Sequence, residues 1–169
     1  MDQRSDLIMD LITRAGEARS AEAIHRQEEI MIIHAATLSA RRIRTLMVPA
    51  GKVKTFHAGK TLRKNLLDLG APYHRFYPVS SDGSFDSLTG YVCLRDLLLD
   101  KLLDGEGGDP DWHRHIRPLQ EVEASSPVTP LLTGFLDRKD IAALVKKDGS
   151  NVGWVTMDDV IETLLGVRG

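Results

Sequence analysis

Apolar residues recur three and four positions apart through the first forty residues: Leu7, Ile8, Leu11 and Ile12, then Ile24, Ile30, Met31, Ile32 and Ile33, with Glu28 and Glu29 on the other side. That period predicts helix over 5–38. Ser5 and Asp6 offer an N-cap, and Gly16 predicts a break into two pieces, the second over about 21–37. Ser39 is expected to cap a short turn through Arg41–Leu46, which Met47-Val48-Pro49 ends. Beyond Pro49 the texture changes. Val53–Phe56 alternates and predicts a strand, and residues 60–69 predict a helix closed by Gly70. Phe76–Val79 and Leu88–Leu94 predict strands around Asp82-Gly83-Ser84, and Arg95–Leu103 predicts a leucine-rich helix. The Gly- and Asp-rich stretch that follows reads as a linker.

After the linker the same order returns. Leu119–Val122 is strand-like and Pro127–Arg138 helix-like. Ile141–Lys147 and Val152–Met157 form an expected hairpin around Asp148-Gly149-Ser150, and Asp158–Leu165 is a last helix. The repeat is visible in register: Pro49 answers Pro118 at an offset of 69, Asp82-Gly83-Ser84 answers Asp148-Gly149-Ser150 at 66, and Gly90 to Asp96 answers Gly153 to Asp159 at 63. The first copy therefore carries two small insertions. Two copies of one β-α-β-β-α order predict an α/β fold of two half-modules packed on each other. A single copy of about 60 residues would be marginal alone, so the pair is the expected folding unit. The expected organisation is an N-terminal helical segment (1–39), a first half-module (40–104), a linker (105–112) and a second half-module (113–169).

Composition narrows the function. The chain has 169 residues, 42% hydrophobic and 27% charged, which is globular. Its formal charge of −2 and 5% aromatic content argue against a nucleic-acid surface. One cysteine, Cys93, makes no internal disulfide and no cysteine zinc framework. No apolar run approaches the about 18 residues needed to span a bilayer, and no basic segment leads an apolar one at the N-terminus, so no signal peptide is expected. His113 and His115 flank Arg114 without a carboxylate or cysteine at ligand spacing in the sequence, so no metal site is expected. No nucleophile or P-loop motif is present. No catalytic residue is assigned and no enzyme activity is expected.

The sharpest constellation is Gly153-Trp154-Val155-Thr156-Met157-Asp158-Asp159, at a strand-to-helix junction. Thr156 and Asp159 have the spacing of a capping box, in which hydroxyl and carboxylate satisfy backbone N–H groups. The same geometry suits a nucleoside phosphate. A helix N-terminus attracts phosphate, a threonine hydroxyl adds a donor, and a carboxylate one turn on accepts from ribose hydroxyls. A glycine just before permits close backbone approach.

Two copies of this junction, each closing a β-α-β-β-α unit, resemble a tandem pair of CBS domains, a Bateman module, over about 40–167. The runs "TLMVP", "RFYPV", "GYVCLRDLL", "HIRPL" and "GWVTMDDVIETLLG" resemble the CBS pair of the CorC/HlyC hemolysin-like family of magnesium and cobalt efflux proteins. The segment from Glu28 into "LSARRIRTLMVP" resembles what precedes that pair in the family. The resemblance implies half-modules related by a pseudo-two-fold axis and a regulatory role, binding ATP, with AMP or ADP as alternatives and Mg²⁺ as a companion left open. Carried over, Thr156 and Asp159 hold ribose and the first phosphate beside Gly153. Tyr73-His74-Arg75 stands where the family has its run before "PV", with Arg75 reaching the phosphate tail. In the first copy Cys93 replaces the threonine. A thiol is a weak donor and a poor cap, so Cys93 and Asp96 predict a degenerate second site. Ala50 replaces an arginine frequent in the family, and "FYPV" has one residue more than its usual run. The family setting implies a cytoplasmic module attached to membrane-spanning or C-terminal domains of a parent protein, engaged in ion transport. Apolar helix faces around Leu97-Leu98-Leu99 and Ile161, Leu164 and Leu165 predict a homodimer. The rival expectation is a ligand-free dimerisation or interaction module.

Overall fold

The computed structural model of the protein describes residues 3–103, 111–138 and 141–167. Among them the chain is mixed α/β, with six α-helices and seven strands in two sheets. It divides into two compact units, each assembled from separated stretches: Met1–Met47, Val122–Ile141 and Val155–Gly169 form one, Val48–Glu121 and Ala142–Trp154 the other. Most of the linker stretch, 104–110, lies outside the described residues.

The first unit is built on helices. Helix α1 (Gln3–Ser20) and α2 (Arg26–Thr37) form the predicted helical segment. The expected break at Gly16 does not occur: α1 runs through it, and Ser5 and Asp6 sit inside the first turns instead of capping. A mid-helix glycine costs about 1 kcal/mol without ending a helix. The Arg19–Glu29 ion pair at 2.5 Å ties α1 to α2. The real break falls before α2, where Glu22 takes a positive φ of 56° and His25 closes a capping box with Glu28, whose carboxylate accepts from the His25 N–H at 2.7 Å. Short turns at Leu38–Ala40 and Ile43–Thr45 follow. Backbone bonds from Ile43 to Ser126 and from Arg44 to Ala124 dock them beside α5 (Val128–Arg138). Helix α6 (Met157–Leu165) ends at Gly166, in the left-handed region at φ 71°. Leu38, Ile43, Leu46, Val128, Leu131, Phe135 and Val160 are buried here.

The second unit holds a sheet of order β2-β3-β4, from Phe56–His57, Phe76–Ser80 and Leu88–Cys93. Strands β2 and β3 are parallel and joined through α3 (Leu62–Leu69), which Thr61 caps and Gly70 ends. The strand predicted over 53–56 begins only at Phe56. Asn65 fixes it there: buried on α3, its amide oxygen accepts from the His57 N–H at 2.7 Å and its amide nitrogen donates to the His57 carbonyl at 3.1 Å. Around these elements and α4 (Leu94–Leu103) lies a core of Phe56, Leu62, Tyr77, Val79, Val92, Leu94, Leu97 and Trp112. Trp112, assigned from sequence to the end of the linker, is 2% exposed and donates its indole N–H to the Lys60 carbonyl.

The other sheet has order β1-β7-β6-β5, from Val48–Pro49, Ser150–Thr156, Ala142–Lys147 and Gln120–Glu123. The β6–β7 hairpin turns on Asp148 and Gly149, both at positive φ, as a two-residue hairpin turn requires. The equivalent loop of the first copy is longer because it carries an extra helical turn, Phe85–Ser87. The pairing of the first segments departs from a simple repeat. Val48 and Pro49, from the first copy, pair with Trp154 and Gly153 of the second. In answer, Arg117 of the second copy bridges Tyr91 of the first through two backbone bonds of 3.0 and 2.8 Å. The two copies exchange their apolar-Pro segments.

Candidate functional site

The junction of β7 and α6 forms because a strand residue in extended conformation, Thr156 at φ −123° and ψ 168°, is followed by a carboxylate that reaches back. The Asp159 carboxylate accepts through Oδ2 from the Thr156 N–H at 2.7 Å and from the Thr156 hydroxyl at 2.8 Å. The Thr156 oxygen accepts in turn from the Asp159 N–H at 3.4 Å. Asp159 is buried, and Thr163 donates to its carbonyl at 2.8 Å. Thr156 and Asp159 thus meet as a closed capping box. The Thr156 hydroxyl proton points to Asp159, and a phosphate taking that donor would turn the hydroxyl away from the carboxylate. Gly153 sits three residues back on β7 and pairs with Pro49.

The equivalent junction of the first copy differs. Cys93 is buried at the end of β4 and α4 starts at Leu94. Asp96 is held by Arg117, whose guanidinium donates to its carboxylate at 2.7 Å. The role of Arg117 did not emerge from sequence reasoning. Its signal was present: "HIRPL" puts a cation where the first copy has Val48 in "TLMVP".

Tyr73, His74 and Arg75 lie together at the entry to β3, in the second unit. The half-exposed Tyr73 donates its hydroxyl to the Leu66 carbonyl at 3.3 Å, packing against α3. The His74 N–H donates to the buried Tyr77 hydroxyl at 2.7 Å. Arg75 is exposed, with its guanidinium carbon 4.9 Å from the Phe76 ring centre. Thr156 and Asp159 belong to the first unit, and the Tyr73–Arg75 run and Gly153 to the second.

The histidine pair set aside in the sequence does meet carboxylates. His115 and Arg114 both bind Asp100, holding its carboxyl below the usual carboxylate range, Arg114 more strongly than His115. His113 bridges Asp111 and the Ala58 carbonyl. Among the described residues no group of three His, Cys, Asp or Glu side chains is arranged to hold a metal ion. Lys146 pairs with Glu121 at 3.1 Å. Among the described residues no helix is long and apolar enough to cross a membrane.

Two cavities have definite linings. One of about 330 Å³ lies by Lys60, Thr61, Trp112 and His113 in the second unit. The other, about 570 Å³, lies in the first unit and is lined by His34, Arg41, Thr45 and Thr163 among others. Neither is lined by Thr156, Asp159 or Arg75.

No family model matches the chain. The magnesium and cobalt efflux protein CorC of Pasteurella multocida (strain Pm70) is 25% identical to it over 158 residues, covering 93% of this chain and 52% of that protein. Among solved structures, the CBS domain of a bacterial CNNM/CorC family Mg²⁺ transporter in complex with the inhibitor IGN95a matches with a TM-score of 0.75 and 27% identity, over 94% of this chain and 96% of that one. A CBS domain of the bacterial CNNM/CorC family Mg²⁺ transporter in complex with ATP matches with a TM-score of 0.69 and 28% identity, over 83% and 98%. The fold is similar to that of these CBS domains. In sequence and fold the chain is similar to the CBS-domain pairs of the CorC family. It spans about half the length of the curated relatives it matches.

Proposed function

We propose that this CBS pair is a regulatory module that binds one adenine nucleotide per chain, ATP first, and through it adjusts magnesium or cobalt efflux by a larger protein, from the cytoplasmic side. The observation that carries the reading is the Thr156–Asp159 cap at the head of α6. The ATP complex of a CBS domain 28% identical to this chain supports it. In the bound state the ribose hydroxyls donate to the Asp159 carboxylate, displacing the Thr156 donors. The freed Thr156 hydroxyl and the amides of the first turn of α6 then face the first phosphate. Arg75 is the cation assigned to the phosphate tail, with Tyr73 and His74 flanking it and Gly153 keeping the strand slim. The role is binding and not catalysis. The second junction, Cys93 with Asp96, takes no nucleotide, because Asp96 already holds Arg117. Titration calorimetry with ATP, ADP and AMP, each with and without Mg²⁺, tests the proposal. One site per chain is expected, and two comparable sites or none contradict it.

A second reading has its own observation. Leu98, Leu99, Leu102 and Leu103 of α4 are 41–83% exposed, an apolar face of the kind that marks an interface. A homodimer is proposed on either reading, and light scattering at tens of micromolar checks it. A dimer that shows no thermal response to any adenine nucleotide would favour the ligand-free interaction module.

A further inference from the structure

The larger cavity is independent of the α6 cap. It opens in the first unit between α2, the 41–47 segment and the far end of α6, with a volume of about 570 Å³, inside the roughly 300–1,000 Å³ range of small-molecule sites. Gly166 lets one wall close up: at φ 71° it ends α6, and a Cβ there would come 2.9 Å from the His34 ring and 2.8 Å from Ile30, so the glycine allows α6 to approach α2 closely. The lining has a definite chemistry. Arg41 is the cation of the lining, and among the described residues that line the cavity there is no Asp or Glu. His34 Nδ1 is buried and has no hydrogen-bond partner among the described residues. Buried polar atoms without partners are uncommon, and each calls for an explanation. The Thr45 and Thr163 hydroxyls donate to the Arg42 and Asp159 carbonyls at 2.7 and 2.8 Å, so their remaining capacity is to accept. Leu46 and Met47 add apolar surface.

From this set we infer a second ligand site, for a small hydroxylated organic oxyanion, either phosphorylated or carboxylated. Arg41 takes the oxyanion as a fork of donors, with the His34 ring forming the wall beside it. Ligand hydroxyls donate to Thr45 and Thr163, and the carbon skeleton rests on Leu46 and Met47. The test is a titration of the intact chain with glycerol 3-phosphate, citrate and inorganic phosphate, read by the His34 ring resonances. Saturable shifts are expected with glycerol 3-phosphate or citrate, and the stronger of the two tells a phosphoryl from a carboxyl preference. Inorganic phosphate is expected to bind at least tenfold more weakly. Arg41→Gln should weaken binding at least tenfold and Arg41→Lys by less, both with unchanged melting, while Asp159→Asn leaves it untouched. That last variant separates this site from the nucleotide proposal. No saturable His34 shift with either organic probe, or equal affinity in Arg41→Gln, would overturn the site. Equal binding of inorganic phosphate would overturn the hydroxyl contacts.

Discussion

The two strand-to-helix junctions share one spacing in sequence and make different bonds. At β7–α6 a threonine and an aspartate close on each other, and the carboxylate collects two donors from its own cap. At β4–α4 a buried thiol stands in the threonine position, and the aspartate, left without that hydroxyl, is drawn to Arg117 from the exchanged segment. The carboxylate three residues past the cap position thus has a different partner in each copy. The first arrangement keeps hydroxyl and carboxylate on each other; the second turns the carboxylate into a tie between segments. Identical spacing in sequence does not guarantee identical chemistry, because the carboxylate goes to the best donor its surroundings supply.

The largest effect is expected where the exchanged segment crosses the first junction's strand. A Cβ on Gly90 would stand 2.6 Å from the Arg117 carbonyl oxygen and 2.5 Å from Ile116. Backbone cannot swing away as a side chain can, so Gly90→Ala should cost about 1–3 kcal/mol in urea denaturation. Next comes the intact cap: Thr156→Ala should cost about 1 kcal/mol by the same measurement. Cys93→Ala, which removes no cap hydrogen bond, tests whether the first junction lacks that dependence, and it should leave the Asp96–Arg117 pair in place. Asp96→Asn breaks a partly exposed ion pair and should cost less than about 1 kcal/mol. Cys93→Thr alone should still show one nucleotide per chain by calorimetry, since Arg117 keeps Asp96. Cys93→Thr combined with Arg117→Gln should raise the count toward two.

The smallest effect is electrostatic. Asp100, beside Arg114 and His115, and Asp68, bonded by Lys60 and Lys64, both have carboxyls held below the ordinary value. A carboxyl depressed in the folded state stabilises it above the unfolded pKa, and that contribution fades as pH falls through the folded one. Melting temperature should therefore decline gently below about pH 4, and less steeply in Asp68→Asn.

The local elements were legible because their signals are local. The Asp148-Gly149 turn, the Thr61 cap with Gly70, and the leucine period of α4 stand within a few residues of the elements they make. The helix break at Glu22 was misread because a glycine looked like a stop, when His25 and Glu28 supplied a stronger start. What stayed hidden was long-range. Repeat spacing gives an order of elements but not their partners, so the exchange of Val48-Pro49 against Arg117 does not follow from it. Trp112 reads as linker because glycines precede it, and only the fold reveals that it packs edge-on against Phe56 in the core. The cap at Thr156 and Asp159 was legible as a motif. The Arg117 tie on Asp96 was not, being a contact across 21 residues.

On the proposed reading the Thr156–Asp159 junction holds a nucleotide as well as capping a helix, and a thermal melt with ATP decides between the two roles. Ligand at a hundred times its Kd stabilises by about 2.7 kcal/mol, which for a chain of this size raises Tm by roughly 5–11 °C. The wild-type chain should show that rise. Asp159→Asn should melt slightly lower without ligand and gain almost nothing from ATP. Equal ATP-induced shifts in the two proteins would show that Asp159 is a helix cap and nothing more.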